Sequence, residues 1–300
     1  RKNTIMPRYY DISIKNSMRR SRYNNLLRAG TSIDSIYDLT DFYNVIVRDQ
    51  KLTMSCWAFS TVSALESNVS VRNTLPQRGY SPYHMEYYAT RMYNKTLASG
   101  GNIYQAVAYM TNGYGPVLEA DFPMESVYDE QNNDISNRYL TDLEDVDLNK
   151  IAQLKINKTT VFPSIYKTYT ETGIVYTDGY EQEYTEAQVE ALRTNVKTHI
   201  KEHGAVCATM FIDIAISTGG EFVSDYYDAD DNIFCYTDSD ERANHQVLIV
   251  GWDDTKEAYI VQNSYGEEFG ENGFFYISYD DVRIEEGIYG ITEIEQLTAD

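Results

Sequence analysis

The hydrophobic period of this chain changes part-way along, and that change restricts the folds open to it. Before Gly204 the apolar residues recur at helical spacing. Ala58, Val62, Leu65 and Val69 form one set; Met85, Tyr88, Ala89 and Met92 form a second; Val189, Leu192, Val196 and Ile200 form a third. From Ala205 onward the pattern is that of strands, over Ala205–Phe211, Gln246–Val250, Ala258–Gln262 and Gly273–Tyr279, with turn-rich segments between them. Helices first and strands last predict an α+β chain with two lobes, one helical and one β-rich.

The punctuation agrees with this division. Ser81-Pro82 reads as a helix start, an N-cap followed by proline in the first turn. Gly100-Gly101-Asn102 precedes a short helix over about 103–112, ended by Gly113. Thr185 with Gln188 forms a capping-box pattern, and Gly204 closes the helix that follows. Ser35 to Val47 reads as an extended lead-in. Residues 125–183 are acidic and irregular, with strands predicted near 150–155 and 160–168.

Charge narrows the partners. The net charge of −21 excludes nucleic acid and anionic membranes as partners of the body. No run approaches the roughly 18 apolar residues of a membrane span. Residues 1–30 run the other way, with eight basic residues (Arg1, Lys2, Arg8, Lys15, Arg19, Arg20, Arg22, Arg28) against one acid, Asp11. They lack the apolar stretch of a signal peptide. A basic arm on an acidic body reads either as a segment that docks intramolecularly, as a pro-segment does, or as a solvated tail.

Three cysteines, Cys56, Cys207 and Cys235, do not make a disulfide framework. Cys207 lies in an apolar strand and reads as core; Cys235 reads as exposed or in a loop. Cys56 is different. It stands at the predicted start of a helix, where the backbone dipole favours thiolate over thiol. Gln50, six residues upstream, can bring an amide near the sulfur. A cysteine nucleophile also needs an imidazole base and a third group to orient it. His84, His199 and His203 fall on helices and read as surface or helix-end residues. His245 opens the strand Asn244-His245-Gln246-Val247-Leu248-Ile249-Val250, and Asn263 follows it by 18 residues. The acidic run Asp225, Asp228, Asp230 and Asp231 lacks EF-hand spacing and reads as a solvated loop. Neither a metal nor a cofactor is expected. Three glycan-acceptor patterns begin at Asn68, Asn94 and Asn157, the first on the predicted central helix.

Four blocks carry a family resemblance. Gln50 to Phe59, with Ser55-Cys56-Trp57-Ala58-Phe59, resembles the active-site segment of papain-like cysteine proteases. Asn244 to Trp252 resembles their histidine strand. Val261-Gln262-Asn263-Ser264-Tyr265-Gly266 resembles their Asn-Ser-Trp-Gly, and Gly270 to Phe275 their terminal pattern. Tyr37-Asp38-Leu39 and Tyr114-Gly115-Pro116-Val117-Leu118-Glu119 are similar to bacterial members that are secreted or held at the cell surface.

The resemblance implies a papain-like fold. A helical lobe over about 50–122 and an antiparallel β-rich lobe over about 123–300 flank a cleft, with residues 1–33 as a basic arm or pro-segment. It implies an endopeptidase in which Cys56 attacks, His245 exchanges protons, Asn263 orients His245, and Gln50 with the Cys56 N–H holds the oxyanion. Gly100 and Gly101 would align a polypeptide substrate; Gln246 would help to floor the main specificity pocket; Tyr265 would cover the His–Asn bond in place of the family's tryptophan. Met54 stands where many members have glycine after a disulfide cysteine, so that disulfide is absent. The expected protein is a secreted or surface-bound monomer made as a zymogen. The rival readings are a catalytically silent papain-like binding module and a transpeptidase that uses the same acyl-enzyme.

Overall fold

The computed structural model describes residues 33–51, 53–72, 78–113, 115–123, 152–216 and 222–297. Residues 1–32 of the basic arm and 124–151 of the irregular region lie outside them. Four α-helices occur among the described residues: α1 (Cys56–Arg72), α2 (Pro82–Tyr93), α3 (Ile103–Thr111) and α4 (Glu186–His203). None is long and apolar enough to cross a membrane.

Helix α1 is buried without a break from Cys56 to Val69. The single apolar stripe read from sequence therefore understates its surroundings, because a helix enclosed on all sides need not be amphipathic. Several of its polar groups are satisfied locally or across the core. Thr61 Oγ1 donates to Trp57 O at 2.6 Å, and Asn68 Nδ2 donates to His203 O and Ile291 O. Asn68 is 0% exposed, so its glycan pattern cannot be read in the folded chain. Glu66 is met by the Arg48 guanidinium through two bonds of 2.9 and 2.7 Å, and Arg48 also reaches Glu119. This buried ion pair fixes the lead-in segment to α1.

The helix starts behave as their sequences predict. Ser81 Oγ accepts from His84 N, Asn102 Oδ1 accepts from Tyr104 N and Gln105 N, and both bonds of the Thr185–Gln188 capping box form. Two histidines do not. His84 is 1% exposed, with Nδ1 2.6 Å from Tyr109 Oη and its ring edge-on to Phe122. His199 is 5% exposed and packs edge-on against Phe162. Aromatic neighbours accept an imidazole ring into the core, which a reading of histidine as a polar surface residue misses.

The main sheet has nine strands: β1 (Ile36–Asp38), β2 (Leu154–Val161), β6 (Val206–Met210), β9 (Tyr227–Asp228), β10 (Ile233–Phe234), β11 (His245–Asp253), β12 (Ala258–Gln262), β13 (Phe274–Ser278) and β14 (Ile288–Gln296). Their order is β2-β14-β6-β11-β12-β13-β10-β9, and every pairing is antiparallel except β10 with β13. Strand β11 is central and buried at all nine positions. Along one edge β6 covers its first half, with His245 opposite Met210; β1 covers its end, with Asp38 opposite Gly251. The chain thus enters the β-rich lobe before it builds the helical one. A second sheet of β3 (Tyr166–Thr170), β4 (Gly173–Thr177) and β5 (Glu183–Tyr184) and a small pair of β7 (Ala215–Ile216) with β8 (Phe222–Val223) complete the strands. One apolar core joins α1 to the sheet through residues such as Leu65, Val206, Leu248 and Ile291.

Candidate active site

Cys56 is the first residue of α1 and is 8% exposed. Backbone N–H groups of Gln246, Trp57 and Cys56 itself face its sulfur and favour the thiolate. Burial outweighs them and pushes the thiol up to about 11. His245, at the head of β11, is 6% exposed. Its Nε2 lies 2.8 Å from Asn263 Oδ1, which fixes the tautomer: Nε2–H donates and Nδ1 is unprotonated. Burial pushes the imidazole down to about 4, with the Asn263 bond acting in the other direction. In the closed site both directions favour the neutral pair. Cys56 and His245 line the same cleft, of about 900 Å³.

Gln50 is held from two sides. Its Oε1 accepts from Ser264 Oγ at 2.6 Å, and its Nε2 donates to Thr53 O at 2.6 Å. Backbone bonds from Gln50 N to Ser264 O and from Gly266 N to Arg48 O tie the Gln50 segment to the segment that carries Asn263. Ser264 was not singled out from sequence; its place beside Asn263 was the available signal. The Tyr265 ring lies 5.1 Å from the His245 ring, at 33° to it, and packs edge-on against Phe269.

The two glycines have internal reasons to be glycine. Gly100 has φ of +65°, a region that side chains strain. A methyl group at Gly101 would overlap the Trp57 indole, so this backbone lies flat against the residue next to Cys56. Gly101 lines the cleft. Gln246 also lines it, but its amide nitrogen turns away into the seam between the lobes. There Nε2 reaches Ser60 Oγ at 2.6 Å, Tyr289 Oη at 2.8 Å and Trp57 O at 3.3 Å. The sheet β3–β4–β5 brings further lining residues that sequence reading missed, Tyr166, Asp178 and Tyr180. Met54 N donates to Leu97 O at 2.8 Å close to Cys56 in sequence, and all three cysteines are free. Cys207 is fully buried and Cys235 half-buried.

The sequence profile of the papain family of cysteine proteases matches residues 36–293. The chain belongs to the papain family. Among curated relatives it is 25% identical to gamete and mating-type specific protein A of Dictyostelium discoideum over 248 residues, 79% of this chain and 41% of that one. It is 25% identical to cathepsin S of Bos taurus over 231 residues, 76% of this chain and 54% of the relative. The chain thus spans about half the length of these relatives. Among solved structures, the clostridial cysteine protease Cwp84 after propeptide cleavage superposes with a TM-score of 0.62, at 21% identity, over 88% of this chain and 59% of that one. Procathepsin L2 of Tenebrio molitor superposes with a TM-score of 0.58, at 19% identity, over 89% and 70%. The papain-like fold, with helices on one side and a sheet-rich lobe on the other, is shared with both.

Proposed function

We propose that this papain-family chain is a cysteine endopeptidase with a Cys56–His245–Asn263 triad. The observation that carries the reading is the His245 Nε2–Asn263 Oδ1 bond, because it leaves Nδ1 as the free imidazole nitrogen in a cleft shared with Cys56. As substrate binds, the thiol proton passes to His245 Nδ1 and the sulfur attacks the peptide carbonyl carbon. Each charge is then offset by the other, which neither has in isolation. The Gln50 amide carries two N–H bonds; Thr53 O takes one, and the second is available to the oxyanion with the Cys56 N–H. His245 gives its proton to the leaving amine, a thioester remains, and water activated by the same imidazole hydrolyses it.

The substrate is an extended polypeptide laid along the cleft past Gly100 and Gly101. Asp178 and Glu286 line that cleft and no lysine or arginine does, among the described residues, which supports a basic side chain near the scissile bond. We further propose a monomer, secreted or held at a bacterial surface, whose basic arm lowers activity until it is cleaved. Support for the first point is the likeness to Cwp84, described as a surface layer associated protein of Clostridium difficile; for the second, the likeness to proforms such as that of the ragweed allergen Amb a 11.

The test is intact-mass labelling with a thiol-directed epoxide, on this chain and on Cys56→Ala, beside hydrolysis of a peptide library. One adduct that disappears in the variant, together with cleavage, is expected. Absence of labelling in both the full chain and a form lacking residues 1–30 would overturn the peptidase reading in favour of a silent module. Labelling with preferential transfer to added amines would identify a transpeptidase. An unchanged rate after deletion of residues 1–30 would refute the inhibitory arm.

A further inference from the structure

A second ionisable group lies behind the candidate nucleophile. Glu86, on α2, is 3% exposed. Its carboxyl faces the start of α1, where its polar neighbours are the Ser55 hydroxyl and the Trp57 indole N–H, the residues on either side of Cys56. Glu86 Oε1, Ser55 Oγ and Trp57 Nε1 are all buried, and none meets a partner in hydrogen-bond geometry. Three such atoms around one point run against the general satisfaction of buried polar groups. An ionised carboxylate there is far costlier than the neutral acid. Burial accordingly pushes Glu86 up to about 8. Among the described residues the ionisable groups that face it are Cys56 from α1 and Lys95 from the loop after α2. Lys95 Nζ is itself engaged by Gly100 O at 2.9 Å and Gln105 Oε1 at 3.3 Å.

The geometry points to Glu86 as a positioning residue whose charge governs the nucleophile. The Ser55 hydroxyl and the Trp57 indole N–H favour its carboxylate, and burial outweighs them and holds the acid. As the carboxylate it stands behind Cys56 and opposes the thiolate. The inference rests on the reading of Cys56 as the nucleophile. It gives the site an alkaline limit that comes from outside the triad, and it makes Cys56 and Glu86 reciprocal: loss of charge at one eases ionisation of the other.

The test is the rate of Cys56 alkylation by iodoacetamide against pH, on the full chain and on Glu86→Gln, with Cys56→Ala subtracted to remove Cys207 and Cys235. Glutamine keeps the shape and cannot ionise. The expected result is a midpoint for Cys56 lower by about one pH unit, with the two rates alike near neutrality, where Glu86 is the acid, and roughly tenfold apart at the alkaline end, where it is the carboxylate. A purely structural Glu86 would leave the midpoint in place, and identical profiles overturn the inference. A second measurement needs no variant. The infrared carbonyl band of a buried carboxylic acid should be present at neutral pH and should titrate out of the wild-type spectrum in the range of pH 8. A band already absent at neutral pH, as for an ordinary carboxylate, also overturns it. Failure of the peptidase reading shows instead as absence of epoxide labelling and of cleavage, and the difference between the two alkylation profiles still decides the role of Glu86.

Discussion

Gln246 Nε2 stands 2.6 Å from Ser60 Oγ, so the residue after His245 is bonded to the helix that Cys56 begins. The same nitrogen reaches Tyr289 Oη, which in turn lies 2.6 Å from Thr61 Oγ1. This short polar chain crosses the seam between the lobes directly beneath the proposed catalytic pair.

Replacing Gln246 with leucine should therefore misalign the pair and leave buried hydroxyls without a partner. The expected cost is about 1–3 kcal/mol in stability. kcat should fall more than KM changes, because the lesion lies under the reacting groups and the substrate's own contacts remain. Urea unfolding and steady-state kinetics check both halves. An unchanged kcat with lowered stability would confine Gln246 to a packing role.

Gln50→Ala tests the proposed oxyanion role of Gln50 apart from thiol activation. The side chain touches Thr53 and Ser264, and neither is part of the proposed triad. kcat for a peptide is expected to fall on the order of 100- to 1000-fold. Alkylation of Cys56, which forms no oxyanion, should change little. Parallel loss of both would show that Gln50 acts by holding the Cys56 segment.

Arg48→Met should unfold the chain at much lower denaturant. Glu66 is almost fully buried and depends on Arg48 for two of its bonds. An uncompensated buried charge costs about 3–5 kcal/mol. The double variant Arg48→Met, Glu66→Leu should recover much of that loss, as a double-mutant cycle in urea would measure.

Acid should destabilise the fold through histidines. Burial holds His84 and His245 down to about 4 and His199 to about 3, against an ordinary value of 6.5. Groups depressed in this way bind fewer protons folded than unfolded. Their contribution is fully present above pH 6.5 and is lost as pH falls toward 4 and then 3. Glu86 acts with the opposite sign: raised to about 8, it favours the folded state below pH 4.5 and loses that contribution as pH rises through 8. Melting temperature should drop steeply between pH 6.5 and 3.5, and the drop should be shallower in His199→Gln. Equal slopes would place the acid sensitivity elsewhere.

The candidate site was more legible than its surroundings. Gln50, Cys56, His245 and Asn263 each sit in a local block whose residue types are set by chemistry, so they can be read without knowing what lies between them. The α4 start was legible for a similar reason, since Thr185 and Gln188 satisfy each other within one turn. Strand β14 was not. Gly290 and the acids Glu293 and Glu295 break its apolar pattern, and its pairing with β2 spans most of the β-rich lobe in sequence. Strands β9 and β10 have two residues each, too few to show a period. Glu86 and His84 were misread or passed over because the sequence of α2 gives no sign that its polar residues point inward.

Strand β1 pairs Ile36–Asp38 with Gly251–Asp253, so a segment ahead of Cys56 waits for one that follows His245. Synthesis proceeds from the amino end, and contacts of such long separation are slow to close. A ribosome-bound chain that has reached α1 carries its thiol but neither the imidazole of His245 nor the strand that seats it. The cleft is thus assembled only after the His245 and Asn263 segments have been made, and the order of translation itself protects the nascent polypeptide from its own proposed chemistry.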